Sequence, residues 1–109
     1  MVSTAKIENP LKESIEKDTE LFKKEYPKIQ IRNLESTTSK SGQKFEVREF
    51  ILKAPALYER VAYTEVKGSV VALVLSAKHK EEYESSQKAW KDWVESFQFH
   101  EGSVTLKKN

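Results

Sequence analysis

The side chains that could catalyse a reaction are few and scattered. The chain has two histidines, His79 and His100, and no cysteine. Nucleophilic catalysis needs a hydroxyl or thiol, an imidazole and an orienting carboxylate brought together, and a zinc site needs three or four ligands at suitable spacing. His79 lies between Lys78 and Lys80 at a predicted helix start, so we interpret it as a solvated surface residue, and His100 lies near the C-terminal end. The sequence therefore predicts no catalytic histidine, no metal site and no cofactor.

Paired carboxylates are the other candidates for acid–base chemistry. Glu46 with Glu49, and Glu59 with Glu65, have spacings that could serve this purpose. These residues sit among lysines and arginines on predicted strands, so solvent-facing strand positions explain them better. The three glycines are isolated from one another and form no phosphate-binding loop. We therefore predict a protein that is not an enzyme.

A mixture of aromatic and basic residues on the predicted central strands could bind a partner; it comprises Lys44, Phe45, Arg48, Phe50, Tyr58, Arg60 and Tyr63. Sheet-based binders of single-stranded nucleic acid stack bases on exposed aromatic rings beside cations, which would require Phe50, Tyr58 and Arg60 to be exposed. The other interpretation places Phe45 and Phe50 in the core, with the stems of the arginines packed beside them. A formal charge of only +2 favours the core interpretation. Arg48, Tyr58 and Arg60 remain the candidate surface contacts.

Two tryptophans lie three residues apart in a predicted helix. Trp90 and Trp93 are on the same helical side as Tyr83, Val94 and Phe97. Tryptophan is enriched at protein–protein contacts, but an apolar helical stripe ordinarily packs against a sheet. We therefore predict core packing for both indoles.

A helix is predicted at the N-terminal end, after a leader at residues 1–9. Asn9 is suited to the N-cap and Pro10 to the first helical position. A stripe of residues at helical spacing follows and is apolar except for Asp18; it comprises Leu11, Ile15, Asp18, Phe22 and Tyr26. Leu21 is expected to widen this stripe. Pro27 ends the helix, because the residue before a proline disfavours helical geometry.

Four strands are predicted next, over about 29–37, 45–52, 57–66 and 69–76. The turn at 39–43 includes Gly42, which can adopt positive φ, and Lys67-Gly68 forms a tight connection. The fourth run is apolar on both faces, so we expect a central strand covered on both sides. A second helix is predicted from His79 or Glu81 to Ser96, followed by short strands at 97–99 and 104–106.

This order predicts an α+β fold: an antiparallel sheet of four or more strands, with N-terminal and C-terminal helices packed on it as an α/β/α sandwich. The 109 residues fit one domain, with a polar tail at 107–109. No apolar run approaches the ~20 residues that span a bilayer. The start of the chain also lacks the apolar stretch of a secretory signal.

Several segments resemble the PsbP-like superfamily over about residues 11–99: KKEYP at 23–27, GQKFEV at 42–47, GSVVAL at 68–73 and WVESFQF at 93–99. The resemblance implies an antiparallel sheet with helices on both faces and a non-catalytic role. Members include the extrinsic photosystem II protein, exported bacterial lipoproteins of the DcrB type and a small Ran-binding import factor. The opening strands of the family are missing here or reduced to residues 1–9. Fold does not fix function, so we transfer no functional residues.

The lack of a recognisable catalytic motif and this resemblance together suggest a non-enzymatic binding or accessory domain with a protein partner. An extracytoplasmic location, with a signal or lipid anchor upstream, is favoured over a cytoplasmic one. Two alternatives stay open. One is a small sheet-based nucleic-acid-binding protein, and the other is an enzyme with an unfamiliar carboxylate or tyrosine site, which would need a deep pocket with ionisable residues of shifted pKa.

Overall fold

The computed structural model describes residues 10–100 and 103–105. It contains two long helices, four long strands and a short hairpin: α1 Pro10–Glu25, β1 Gln30–Thr38, β2 Lys44–Lys53, β3 Ala56–Val66, β4 Ser69–Ala77, α2 Lys80–Glu95, β5 Gln98–His100 and β6 Ser103–Thr105. The four long strands form one antiparallel sheet in the order β1-β2-β3-β4. One helix packs on each face of that sheet, so the predicted α+β class and layering are confirmed.

Helix α1 begins at Pro10 and ends two residues before Pro27, as the sequence predicts; the predicted cap Asn9 lies outside the described residues. Ile15 is buried, and the ring of Phe22 stacks on Phe50 with centroids 4.4 Å apart. The expectation that Leu21 widens the apolar stripe is wrong, because its side chain is 63% exposed. At 100° per residue, Leu21 lies about 100° around the helix from the middle of the stripe, so it projects past the sheet.

Tight turns join the strands. Gly42 has φ of 91°, as expected for the turn between β1 and β2, and Ala54-Pro55 separates β2 from β3. Lys67 and Gly68 both have positive φ, at 48° and 82°, which is the signature of the two-residue type I′ turn that suits the twist of a hairpin.

Strand β4 is an edge of the four-stranded sheet, so the prediction of a central strand is wrong. Its apolar residues alternate between two helix-covered faces: Leu73 is buried on the α2 side, and Val70 packs on the α1 side. A strand sequence that is apolar on both faces indicates that both faces are covered. It does not indicate whether the strand lies at the edge or in the middle of the sheet. Val74 is left 46% exposed.

The core consists of two clusters separated by the sheet. The cluster on the α2 side contains Phe45, Val47, Ala62, Val66, Leu73, Trp90, Val94 and Phe97. The cluster on the α1 side contains Ile15, Phe50, Val61 and Tyr63. Alternate residues of β2 and β3 therefore supply opposite layers, as expected for strands covered on both faces.

Helix α2 starts after His79, whose backbone is extended and whose side chain makes no capping bond. Acidic Glu81 and Glu82 lie in its first turn, where they complement the positive end of the helix dipole. The short strands predicted after α2 are present as β5 and β6, and they pair with each other in a separate two-stranded sheet.

Candidate functional site

A polar cluster around a buried carboxylate lies where the first turn of α2 crosses β1, β2 and β3. We call it the Glu49 cluster, and it comprises Arg32, Glu49, Tyr58, Arg60 and Tyr83. The strand register brings three of its members into one row, because Arg32 pairs with Glu49 and Glu49 pairs with Arg60. Residues paired directly across antiparallel strands share a face, so all three side chains point toward α2, which contributes Tyr83.

Glu49 is the centre of the cluster. The Tyr83 hydroxyl donates to Glu49 Oε2 at 2.7 Å, and Arg60 Nη2 donates to the same oxygen at 3.3 Å. Arg32 Nη2 forms an ion pair with Glu49 Oε1 at 3.0 Å. The interpretation of Glu49 as solvent-facing is wrong, since the residue is only 3% exposed. It shares its face of β2 with Phe45 and Val47 and is covered with them.

Tyr83 is held as a hydrogen-bond donor at neutral pH. Burial, followed by the hydrogen bond to Glu49, raises the pKa of Tyr83 to about 12. Arg60 Nε donates to the Tyr83 oxygen at 3.2 Å, and its guanidinium lies 5.6 Å from the centroid of that ring. Tyr58 stacks on Tyr83 at a centroid distance of 5.6 Å. The Tyr83 hydroxyl and Glu49 Oε2 are therefore hydrogen-bonded within the protein. Glu49 Oε1 has the ion pair with Arg32 but accepts no hydrogen bond from the described residues.

The chemistry open to the Glu49 cluster is limited by these contacts. A cavity of about 280 Å³ adjoins it, and its remaining lining residues are Gln30 and Ile51 of the sheet and Lys80, Glu84 and Gln87 of α2. A general base must reach a proton of the substrate with an available oxygen, whereas both Glu49 oxygens already face cations or a hydroxyl of the chain itself. We therefore assign the cluster to fastening the start of α2 on the sheet.

The α1 side has a smaller counterpart built on the same pair of groups. The Tyr63 hydroxyl donates to Asp18 Oδ2 at 2.9 Å, which explains the one polar residue in the stripe of α1. Burial and the neighbouring Asp18 raise the pKa of Tyr63 well above its usual value. Burial also raises the pKa of Glu59 on the same face, partly offset by a hydrogen bond from the Ser76 hydroxyl.

The candidate surface contacts do not form one surface. Arg48 lies on the α1 face of the sheet and forms a 3.8 Å ion pair with Glu46, while Tyr58 and Arg60 lie on the α2 face. Phe50, which a base-stacking sheet would have to expose, is fully buried beneath Phe22. The aromatic residues of the central strands therefore belong mainly to the core.

A second cavity, of about 660 Å³, opens between the edge of β4 and one flank of α2. We call it the β4–α2 slot. Val74 and Leu75 line it from the strand, although they point to opposite faces of the sheet, so the slot runs along the strand edge. Its other lining residues are Lys40, Ser86, Ala89, Trp90, Asp92, Trp93, Glu95 and Ser96.

The two tryptophans have different roles at this slot. Trp90 is buried, as predicted, and its indole N–H donates to the Leu73 carbonyl oxygen at 3.2 Å. Trp93 is half-buried beside the slot, and its buried Nε1 atom has no hydrogen-bond partner among the described residues. Sequence reasoning missed the slot because it placed β4 in the middle of the sheet, although the uncharged β4 sequence could have indicated it.

Within residues 10–100 and 103–105, no group of three metal-ligating side chains is placed to hold a metal ion. Neither α1 nor α2 is long and apolar enough to cross a membrane. Comparisons with protein-family models, with curated proteins and with solved structures give no match to this chain.

Proposed function

We propose that this protein is a non-enzymatic binding or accessory domain, and that it holds a protein partner at the β4–α2 slot. One observation carries the proposal: an open, largely apolar cavity of about 660 Å³ beside an edge strand. Cavities of this size are typical of ligand sites, which combine an apolar lining with a few directed polar groups. The charged residues Lys40, Asp92 and Glu95 at the same cavity supply such polar groups.

The absence of catalysis is part of the proposal and is supported by the Glu49 cluster. Active sites commonly arrange burial and charge so that a group can gain or lose a proton during reaction. The pKa shift of Tyr83 opposes such proton transfer. With a pKa near 12, the Tyr83 hydroxyl keeps its proton at physiological pH. The carboxylate beside it accepts hydrogen bonds from Tyr83 and Arg60 at one oxygen, and its other oxygen lies 3.0 Å from the Arg32 guanidinium.

A protein partner is favoured over nucleic acid by the character of the two surfaces. Binding of nucleic acid depends on clustered cations and on exposed aromatic rings. The rings of Phe45, Phe50 and Tyr63 are buried. The slot is lined by apolar residues such as Val74 and Leu75 together with charges of both signs, from one lysine and two acidic residues. Such a surface suits the side chains and backbone of a polypeptide.

Kinship with the PsbP-like superfamily, and export with an anchor upstream, belong to the same proposal. The order helix, four antiparallel strands, helix is compatible with that kinship. Export is supported by the resemblance to exported lipoproteins. Fractionation of cells expressing the full gene product would test the location, and recovery in the soluble cytosol would contradict it.

Selection of a displayed random-peptide library against the purified protein would test the binding role. Ala89→Tyr should fill the slot from α2, because Ala89 lines it. Ser85→Tyr is the matched control, since it adds the same ring to an exposed position of the same helix outside the slot. Selected peptides should lose binding to the Ala89→Tyr protein and keep binding to the control. Peptides that bind both variants equally, or a selection that yields no binder, would refute the proposal.

A further inference from the structure

We infer that the cavity of about 280 Å³ beside the Glu49 cluster binds a free acidic amino acid, such as glutamate or aspartate. This cavity is separate from the β4–α2 slot, so the inference goes beyond the proposed function and does not depend on it. Ligand pockets commonly measure about 300–1,000 Å³, and a cavity just below that range suits a molecule of this size. The charges of its lining point to the class of ligand.

The floor of the cavity is made by two neighbouring rows of the sheet. One is the charged row of the Glu49 cluster, which runs across β1, β2 and β3. In the next row on the same face, Gln30 pairs with Ile51, and Ile51 pairs with Tyr58. Ile51 and Tyr58 are only half-buried. The floor therefore offers an apolar strip beside a charged one, as suits a molecule whose charged groups are joined by methylene groups.

The charged row carries one cation more than it can neutralise. Glu49 is the single carboxylate between Arg32 and Arg60. Arg32 contacts Glu49 through Nη2 alone, and 68% of its side chain is exposed. Arg60 uses Nε and Nη2 for Tyr83 and Glu49, and its Nη1 has no partner among the described residues. Guanidinium groups held in this way are suited to bind a carboxylate with their remaining N–H groups.

Helix α2 adds one charge of each sign to the wall of the cavity. Lys80 and Glu84 line it and are both exposed. They are four residues apart, a spacing at which opposite charges on a helix commonly pair. No ion pair joins them, and neither forms one with any other residue in the described part of the chain. Both charges are therefore available to a ligand that enters from solvent.

The balance of these charges selects the class of ligand. The lining has three cations and two carboxylates, which leaves one positive charge in excess; they are Arg32, Arg60 and Lys80, and Glu49 and Glu84. A molecule with two carboxylates and one ammonium group neutralises this excess and uses charges of both signs. Its carboxylates would bind the cations, its ammonium group the free carboxylate of α2, and its methylene groups the apolar row of the floor.

Titration with L-glutamate, followed by the amide NMR shifts of β1 and of the start of α2, tests the inference. Arg32→Gln and Lys80→Gln should each weaken binding about tenfold, because each removes a hydrogen bond between charged groups. Lys80→Gln alters only an exposed side chain, so it tests binding in a folded protein. Lys88→Gln is the matched control, since Lys88 is exposed on the same helix and outside the cavity, and it should bind within about twofold of the wild type. Glutarate, which lacks the ammonium group, should bind about tenfold more weakly than glutamate.

The absence of shifts at glutamate concentrations up to about 10 mM would overturn the inference. Equal binding by glutarate and glutamate would also overturn it, because Glu84 would then hold no ammonium group. Equal weakening by Lys80→Gln and Lys88→Gln would mean general electrostatic attraction and no site. Glutamate should still bind to Ala89→Tyr, which fills the β4–α2 slot; loss of binding there would place the ligand in the slot and overturn the inference without affecting the proposed function.

Discussion

Removing the hydroxyl of Tyr83 tests whether the Glu49 cluster fastens α2 to the sheet. In Tyr83→Phe, Glu49 Oε2 loses its 2.7 Å donor and keeps Arg60 Nη2 at 3.3 Å, while Arg60 Nε loses its acceptor. A hydrogen bond to a charged group contributes about 1.5–3 kcal/mol, and the ring itself stays in place. We expect the free energy of unfolding to fall by about 2 kcal/mol, which is a large fraction of the roughly 5–15 kcal/mol of a typical domain.

Urea denaturation followed by tryptophan fluorescence and by circular dichroism measures this loss. With a slope of about 2 kcal/mol per molar urea, the midpoint should fall by about 1 M. Tyr58→Phe is the matched control, because Tyr58 stacks on Tyr83 and its hydroxyl makes no hydrogen bond within the described part of the chain. The control should change stability by less than about 0.5 kcal/mol. A loss below that value in Tyr83→Phe, or equal losses in the two variants, would refute the assignment of the cluster.

The stability difference between the wild type and Tyr83→Phe should depend on pH. The pKa of Tyr83 is about 12 in the folded protein and about 10 when the chain is unfolded. A raised pKa means that the contribution of this group is fully present below pH 10 and is lost as the pH rises toward 12. The stability difference between the wild type and Tyr83→Phe should therefore shrink across that interval. A difference that stays constant from pH 8 to pH 12 would contradict the bond to Glu49.

Three further expectations concern the α1 face. Tyr63→Phe removes the donor to Asp18 and should destabilise by about 1.5 kcal/mol in the same urea assay; an unchanged midpoint would mean that this bond contributes nothing. Burial raises the pKa of Glu59, so the ionised form of this residue opposes folding. Glu59→Gln should therefore be more stable than the wild type at pH 7 and equally stable near pH 3. A loss of stability at pH 7 would show that the hydrogen bond from Ser76 outweighs the cost of burial. Leu21→Ala should stay within about 0.5 kcal/mol of the wild type, whereas Phe50→Ala should lose about 3–5 kcal/mol; similar losses would contradict the packing of α1.

The layers of this fold could be predicted because their signals are local. Pro10 and Pro27 delimit α1, and the alternation along β2 places Val47 and Phe50 on opposite faces of the sheet. The position of β4 could not be obtained in this way. Its residues on both faces are covered by helices, and nothing in a strand's own sequence states how many strands pair with it.

The Glu49 cluster was missed for a related reason. Glutamate on a strand beside arginines resembles a solvated surface, and the charges of Arg32 and Arg60 strengthened that interpretation. Burial became evident only when the register placed both arginines opposite Glu49 and α2 supplied Tyr83 from 34 residues away. A carboxylate on the apolar alternation of β2, in phase with Phe45 and Val47, was the available signal.

The turn between β1 and β2 also decides where α2 stops. The backbone N–H of Lys40 donates to the Glu95 carbonyl at 2.8 Å, and the Ser41 hydroxyl donates to the Phe97 carbonyl at 2.9 Å across 56 residues of sequence. The last turn of α2 contains no basic residue of its own to satisfy these oxygens. An excised peptide of residues 79–97 should accordingly fray at its C-terminal end. In the whole chain we expect α2 to reach its full length only after the hairpin of β1 and β2 has formed. Folding of the two halves of the chain would then be coupled.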